Sequence, residues 1–411
     1  MRFFKDILLN NLSQALQFGS RWVLNLALIA LLDIESYGVF SFVYSLSNIV
    51  LSVLPFGSSI FLIGNTNKNH ETTHHLFYSL TIVSVLFFVA LLIYFGVTPF
   101  FGGIKGWEYI IYGLILSFLL SFNLVVFSYF KGAGKFKKEL QAYVIFSVLL
   151  FSITGYAFFA QESSLEIGYI FCVLIGLNCI TLLYCFLSSP RKALFYLKSN
   201  LRTWKTRKLI EAFGLRAYFG LQEIVTAIYT QGGLLILFYV VDARTYGQYR
   251  ALFVLIAPIF MVTVAVAQVV LTHLKKFRGT GLVVVFRKIQ YTVMALGVFI
   301  CVNLYFLRDY AFTLIKIEND SNVYNAFLLL ISIVLMRFIF ANYEILLIIY
   351  DKQKERFMVM FLAAVMGISS IFLLLPKYGL FGAVLTNAIS YLVVLVGMVL
   401  ISERQIKIKS K

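Results

Sequence analysis

Four arginines and two glutamates interrupt long apolar runs: Arg21, Arg216, Arg250 and Arg337, with Glu223 and Glu344. A charge at the centre of a membrane helix costs about 2.5–3.5 kcal/mol on insertion scales. Such charges face a bundle interior or a water-filled cavity and mark a functional path by default. Guanidinium groups are planar forks that meet phosphate oxygens with paired hydrogen bonds. With cations outnumbering carboxylates, the chemistry indicated is recognition of an anion inside a wet, cationic interior.

Polar neighbours share the faces of these charges. Asn10, Gln14, Gln17, Arg21 and Asn25 are spaced four, three, four and four residues apart, which sets them on one helix face. The next run repeats the behaviour with Ser41, Ser45, Asn48, Ser52, Pro55 and Ser59. Arg216 lies two turns before Glu223 on one face, and Arg337 and Glu344 share another. The candidate substrate-binding residues are therefore Arg21, Arg337, Arg216, Arg250, Gln14, Gln17 and Asn48. Glu223 and Glu344 are candidates for ion coupling or ion pairing. Blander readings stand beside these. Serine stripes commonly let helices pack closely, Arg216 and Arg250 sit near run ends where long side chains snorkel, and a structural pair between Arg21 and Glu223 would occupy both.

No cofactor or metal site is expected. "YFKGAGKFKK" resembles a phosphate loop by eye, but Tyr129 stands at its first glycine position and Phe136 follows Lys135 where Ser or Thr is needed. His70, His74 and His75 have helical metal-ligand spacing, yet they lie in "NTNKNHETTHH", read as a solvated loop. Cys172, Cys179, Cys185 and Cys301 read as small core hydrophobes. With no hydrolase or transferase motif, the chain reads as a transporter and not an enzyme.

The elements that position these residues follow from composition. Of 411 residues, 61% are apolar and 13% charged, with mean hydropathy +0.90. Twelve apolar runs, at 7–32, 38–64, 76–98, 108–130, 141–160, 165–187, 212–241, 246–273, 289–307, 324–350, 356–376 and 379–401, are long enough to span a bilayer as helices. They are continuous, unlike the alternating segments of a membrane barrel. Placing both termini in the cytoplasm puts 26 of the 35 basic residues on the inner side, as the positive-inside tendency requires. The net charge of +17 then belongs to loops beside an anionic leaflet, which removes nucleic acid as a partner.

The chain also repeats itself. "LLDIESYGVFSFVYSLSNIVL" returns 209 residues later as "VVDARTYGQYRALFVLIAPIF", pairing Asp33 with Asp242, Tyr37 with Tyr246 and Gly38 with Gly247. An offset of six helices makes the halves parallel. The expected organisation is a six-helix lobe at 1–187, a basic cytoplasmic linker at 188–211 and a second six-helix lobe at 212–411. The linker reads as topogenic, with Phe195, Tyr196 and Trp204 allowing an interfacial segment.

Several segments resemble the Wzx-type flippases of bacterial polysaccharide synthesis: "YG" at 37–38, "GKFK" at 134–137, "LRDYAFTLI" at 307–315 and "LPKYGLFGA" at 375–383. The resemblance implies the multidrug/oligosaccharidyl-lipid/polysaccharide (MOP) exporter fold, all-α, with two six-helix lobes in a V. It also implies an inner-membrane flippase for an undecaprenyl-pyrophosphate-linked oligosaccharide such as an O-antigen repeat unit. A coupling ion, H+ or Na+, and contact with the polysaccharide polymerase and chain-length machinery belong to the same expectation. The alternatives are a drug/cation antiporter of the same superfamily, which would favour cavity carboxylates, and a membrane polymerase, which would carry a large periplasmic loop.

Overall fold

A computed structural model of the chain describes residues 2–65, 71–103, 106–159, 166–188, 206–227, 233–274, 277, 279–315, 317, 321–350 and 352–409. Apart from one 3-10 turn at Trp107–Tyr109, every regular element among them is an α-helix. In chain order these are α1 (Arg2–Leu31), α2 (Ile34–Val53), α3 (Ser58–Asn65), α4 (Glu71–Phe101), α5 (Ile110–Gly132), α6 (Phe136–Phe159) and α7 (Ile167–Leu187). Then come α8 (Thr206–Ala227), α9 (Gly233–Val240), α10 (Ala243–Leu274), α11 (Gly279–Phe306), α12 (Arg308–Leu314), α13 (Ser321–Ile349) and α14 (Gln353–Lys409). The twelve apolar runs map onto these helices. The second is split between α2 and α3, the seventh is shared by α8 and α9, and the last two are the halves of α14. Eight helices among the described residues are long and apolar enough to cross a membrane, with α14 counted once although its two halves meet at Gly379.

Both irregularities have local causes. Between α2 and α3, Pro55 cannot donate to the helix ladder, and Phe56 (φ 44°) and Gly57 (φ 72°) turn the chain through the left-handed region. Phe56 is the only described non-glycine residue there, a conformation that costs of order 1–3 kcal/mol and persists only when neighbours enforce it. Pro376 and Gly379 together kink α14.

The helices form two compact units, residues 1–32 with 39–232 and residues 33–38 with 233–411. Within the first unit, α1 packs on α6, α5 on α7, and α8 on α3 and α4. Small residues set these approaches: the Ser47 and Ser117 hydroxyls meet at 2.9 Å between α2 and α5, and Ser41 and Ser45 are fully buried on α2. The α2 serine stripe is therefore largely packing surface.

In the second unit the sequence repeat becomes a symmetric contact. A Cβ at Gly38 would collide with the Ala243 carbonyl, and one at Gly247 would collide with the Ile34 carbonyl. Each glycine thus meets the residue four positions before its own repeat partner. Asp33 accepts the Glu35 and Ser36 backbone N–H groups at 3.0 and 2.9 Å, and Asp242 accepts that of Thr245 at 3.2 Å. Both are helix N-caps. Burial works to raise the Asp33 pKa, but hydrogen bonds from Ser36 and Glu35 outweigh it and hold the carboxyl below its usual range. Asp242 is held low in the same way by Thr245 and Arg244. Tyr37 and Tyr246, between cap and glycine, are both fully buried.

Candidate functional site

The first unit holds a cavity of about 80 Å³ with a mixed polar and apolar wall at the level of Arg21. Gln17 and Arg21 reach it from α1, Asn123 from α5, Tyr143 from α6, and Asn178 and Thr181 from α7. The α1 stripe thus delivers two of its members, as 3.6-residue spacing demands. Asn123 Nδ2 lies 3.3 Å from both the carbonyl and the side-chain oxygen of Asn178, while its own Oδ1 is buried without a partner among the described residues. Thr181 and Asn178 return hydrogen bonds to Leu177 and Leu174 one turn earlier. Among the described residues no carboxylate lies within ion-pair distance of Arg21. Sequence reasoning missed Asn123, Tyr143, Asn178 and Thr181. The available signal was a lone amide in each of two otherwise apolar helices.

Glu223 and Arg216 also lie in the first unit and have different tasks. Glu223 Oε2 accepts the Gly57 backbone N–H at 2.8 Å, and Oε1 accepts the Ser59 hydroxyl at 3.0 Å. It caps the buried start of α3, where the broken helix leaves N–H groups without partners inside the helix. Gly220, one turn earlier on α8, makes room for the Phe56 ring, which a Cβ would approach to 2.7 Å. A pair between Arg21 and Glu223 is therefore not formed, because both carboxylate oxygens serve the helix break. Arg216 is completely buried and does not snorkel. Its guanidinium donates to the Ala212 carbonyl at 2.8 Å and to the Ser79 hydroxyl at 3.2 Å, and it stacks 4.0 Å above the Phe61 ring. Arg216 also donates to the carbonyl of His75, a residue of α4, at 3.4 Å. His74 and His75 are helical rather than in a solvated loop, while His70 lies outside the described residues.

The second unit binds its charges to each other. Glu344 on α13 takes Arg356 of α14 through two nitrogens at 2.9 and 2.7 Å, and Arg337 at 3.7 Å. Arg337 also donates to the Thr263 hydroxyl at 3.3 Å and lies 4.9 Å from the Phe340 ring. Two cations share one carboxylate, leaving a net positive charge at this level. Arg250 is half-buried on α10, and its Nε is shielded without a partner among the described residues. Arg287 of α11, two residues before the apolar run at 289–307, pairs with Glu403 of α14 at 2.5 Å and donates to the Tyr343 hydroxyl of α13 at 3.2 Å. Gln14 and Asn48 are half-buried and do not line the Arg21 cavity. Among the described residues there is no cluster of three metal-ligating side chains.

No family model matches the sequence, and no curated protein matches it. Solved structures share its fold. An inward-facing MATE-family multidrug resistance transporter of the MOP superfamily gives a TM-score of 0.72 at 15% identity, covering 97% of this chain and 94% of that one. The lipid II flippase MurJ, in an inward closed conformation, gives 0.69 at 13%, covering 97% and 87%. A MOP-superfamily transporter from Pyrococcus furiosus gives 0.61 at 13%, covering 98% and 95%. The chain has the all-helical fold of the MOP transporters.

Proposed function

We propose that this chain is a flippase in the bacterial inner membrane, moving an undecaprenyl-pyrophosphate-linked oligosaccharide repeat unit from the cytoplasmic to the periplasmic leaflet. The observation that carries the reading is Arg21, a guanidinium that lines a cavity together with four other polar side chains and a tyrosine and has no carboxylate beside it among the described residues. A guanidinium left without an internal counter-ion suits a phosphate-bearing ligand. Gln17, Asn123 and Asn178 offer amides to sugar hydroxyls. Arg337, Arg250, Gln14 and Asn48 are assigned to later positions on the substrate path, and Arg216 to supporting it from within the packing. The two lobes of the sequence repeat, 1–187 and 212–411 joined by 188–211, would rock to give alternating access, with both termini cytoplasmic.

The carboxylates bear on the rival reading. A drug/cation antiporter needs acidic groups open to a cation, yet Glu344 is neutralised by Arg356 and Glu223 is engaged at Gly57 and Ser59. Coupling to H+ or Na+ and contact with a polymerase remain parts of the proposal. Deleting the gene is expected to abolish a lipid-linked surface glycan and to leave repeat units on the cytoplasmic side, with restoration by the intact gene. A deletion strain with normal glycan and new drug sensitivity would replace this reading with the antiporter.

A further inference from the structure

We propose that the first unit binds both parts of an anionic isoprenoid lipid, with its phosphate at Arg21 and the first units of its chain in an apolar groove alongside. The inference rests on the flippase reading and adds the seat of the lipid chain. The groove, about 80 Å³, is lined by α1, α6 and α7, three of the five helices that line the Arg21 cavity. Along α1 the lining passes from Gln17 and Arg21 to Leu24 and Leu28. On α6 it passes from Phe146 to Leu150, and α7, running the opposite way, passes from Asn178 to Leu174. At 1.5 Å per residue, Leu28 lies roughly 10 Å along the helix from Arg21. Head and chain sites are therefore adjacent and collinear.

The groove is mainly hydrocarbon. Leu28, Leu150 and Leu174 form a buried floor, and the Thr154 hydroxyl is spent on the Leu150 carbonyl at 2.7 Å, which leaves the two tyrosine hydroxyls as the other polar side-chain groups of the lining. Tyr156 and Tyr169 stand exposed at its rim. A chain gains little by leaving lipid for such a groove, because bilayer tails are as apolar as leucine. The groove supplies fit and direction while the guanidinium supplies affinity, so only a ligand with both parts is held. A resident glycerophospholipid meets this poorly. Arg21 is ten residues from the end of α1, roughly 15 Å, which is too deep for a headgroup anchored at the interface.

The test places photoreactive benzoylphenylalanine at the exposed Tyr156 position of the full chain in phosphatidylethanolamine/phosphatidylglycerol vesicles. The probe is radiolabelled C55 polyprenyl phosphate. Crosslinking is expected, competed by unlabelled polyprenyl phosphate but not by C55 polyprenol or added phosphatidylglycerol, and reduced about tenfold by Arg21→Ala. Filling the groove with Ile153→Trp should weaken polyprenyl phosphate binding about tenfold and leave isopentenyl pyrophosphate binding unchanged. Equal competition by polyprenol or phosphatidylglycerol overturns the proposal, and the wild-type crosslink decides this even if the tryptophan variant does not fold. Isopentenyl pyrophosphate binding that needs Arg21, with no effect of Ile153→Trp on either probe, rejects the groove and spares the anion site. Failure of both probes to bind rejects the flippase reading together with the groove.

Discussion

Two arginines of the same unit are asked to do opposite things. Arg21 stands at a cavity wall with no carboxylate beside it among the described residues, whereas Arg216 is enclosed by Ser79, Phe61 and the Ala212 carbonyl. Arg21→Ala should keep normal membrane abundance and lower glycan export. A charged hydrogen bond is worth about 1.5–3 kcal/mol, or roughly tenfold to a hundredfold in binding. Arg21→Lys should restore part of it, since the charge returns without the fork. Arg216→Ala should instead lower abundance, and Arg216→Met should recover much of it, because an apolar residue of similar length fills the space without a buried charge. Quantitative immunoblotting of membranes alongside glycan gels separates the two outcomes, and equal loss of abundance in both alanine variants would refute the division. Arg21 and Gln17 were legible from their spacing. Asn123, Asn178 and Thr181 were not, because they meet through the mutual rotation of separate helices, which no single periodicity reports. The partner of Glu223 was hidden for another reason. It is largely the backbone N–H of Gly57, a group every residue but proline carries.

At the level of elements, the Asp–Tyr–Gly repeat was readable as a pattern and its physics became clear only in three dimensions. The aspartate caps a helix, the tyrosine fills the core, and the glycine allows two backbones to touch. Gly38→Ala or Gly247→Ala forces those backbones apart and should cost about 1–3 kcal/mol as overpacking. Gly19→Ala, where an added Cβ meets nothing within 4 Å, is the control. It should be neutral or slightly stabilising, since glycine is the poorer helix former by about 1 kcal/mol. Thermal midpoints of the three variants in one detergent check the contrast. The α2–α3 break was signalled by Pro55, but its left-handed Phe56 was not, because that residue type rarely adopts the conformation and here it is held by packing against α4 and α8.

For the molecule as a whole, the twelve apolar runs anticipated nearly every helix, because continuous hydrophobicity over a bilayer's width leaves few other solutions. The run boundaries blurred where proline and glycine break a helix without breaking its hydrophobicity, at Pro55 and Gly57 and at Pro376 and Gly379. The basic-residue asymmetry makes a direct prediction about orientation. Reporter fusions after Ser199 should report cytoplasm and fusions after Asp320 periplasm. A reversed result at either position would reject the proposed topology.

The packing of α8 on α3 and α4 also decides where this gene can be cut in two. A cut inside the basic stretch at 188–211 follows the boundary expected from the sequence repeat, but it leaves the second polypeptide carrying Arg216 and Glu223 stripped of Ser79, Phe61 and Gly57. A cut between Ala227 and Gly233 keeps each of those bonds inside one polypeptide. The expected repeat boundary and the boundary between the two compact units near residue 232 are offset by one helix, and split versions of the chain should be cut at the latter, with residues 33–38 of the first polypeptide docking back onto the second unit.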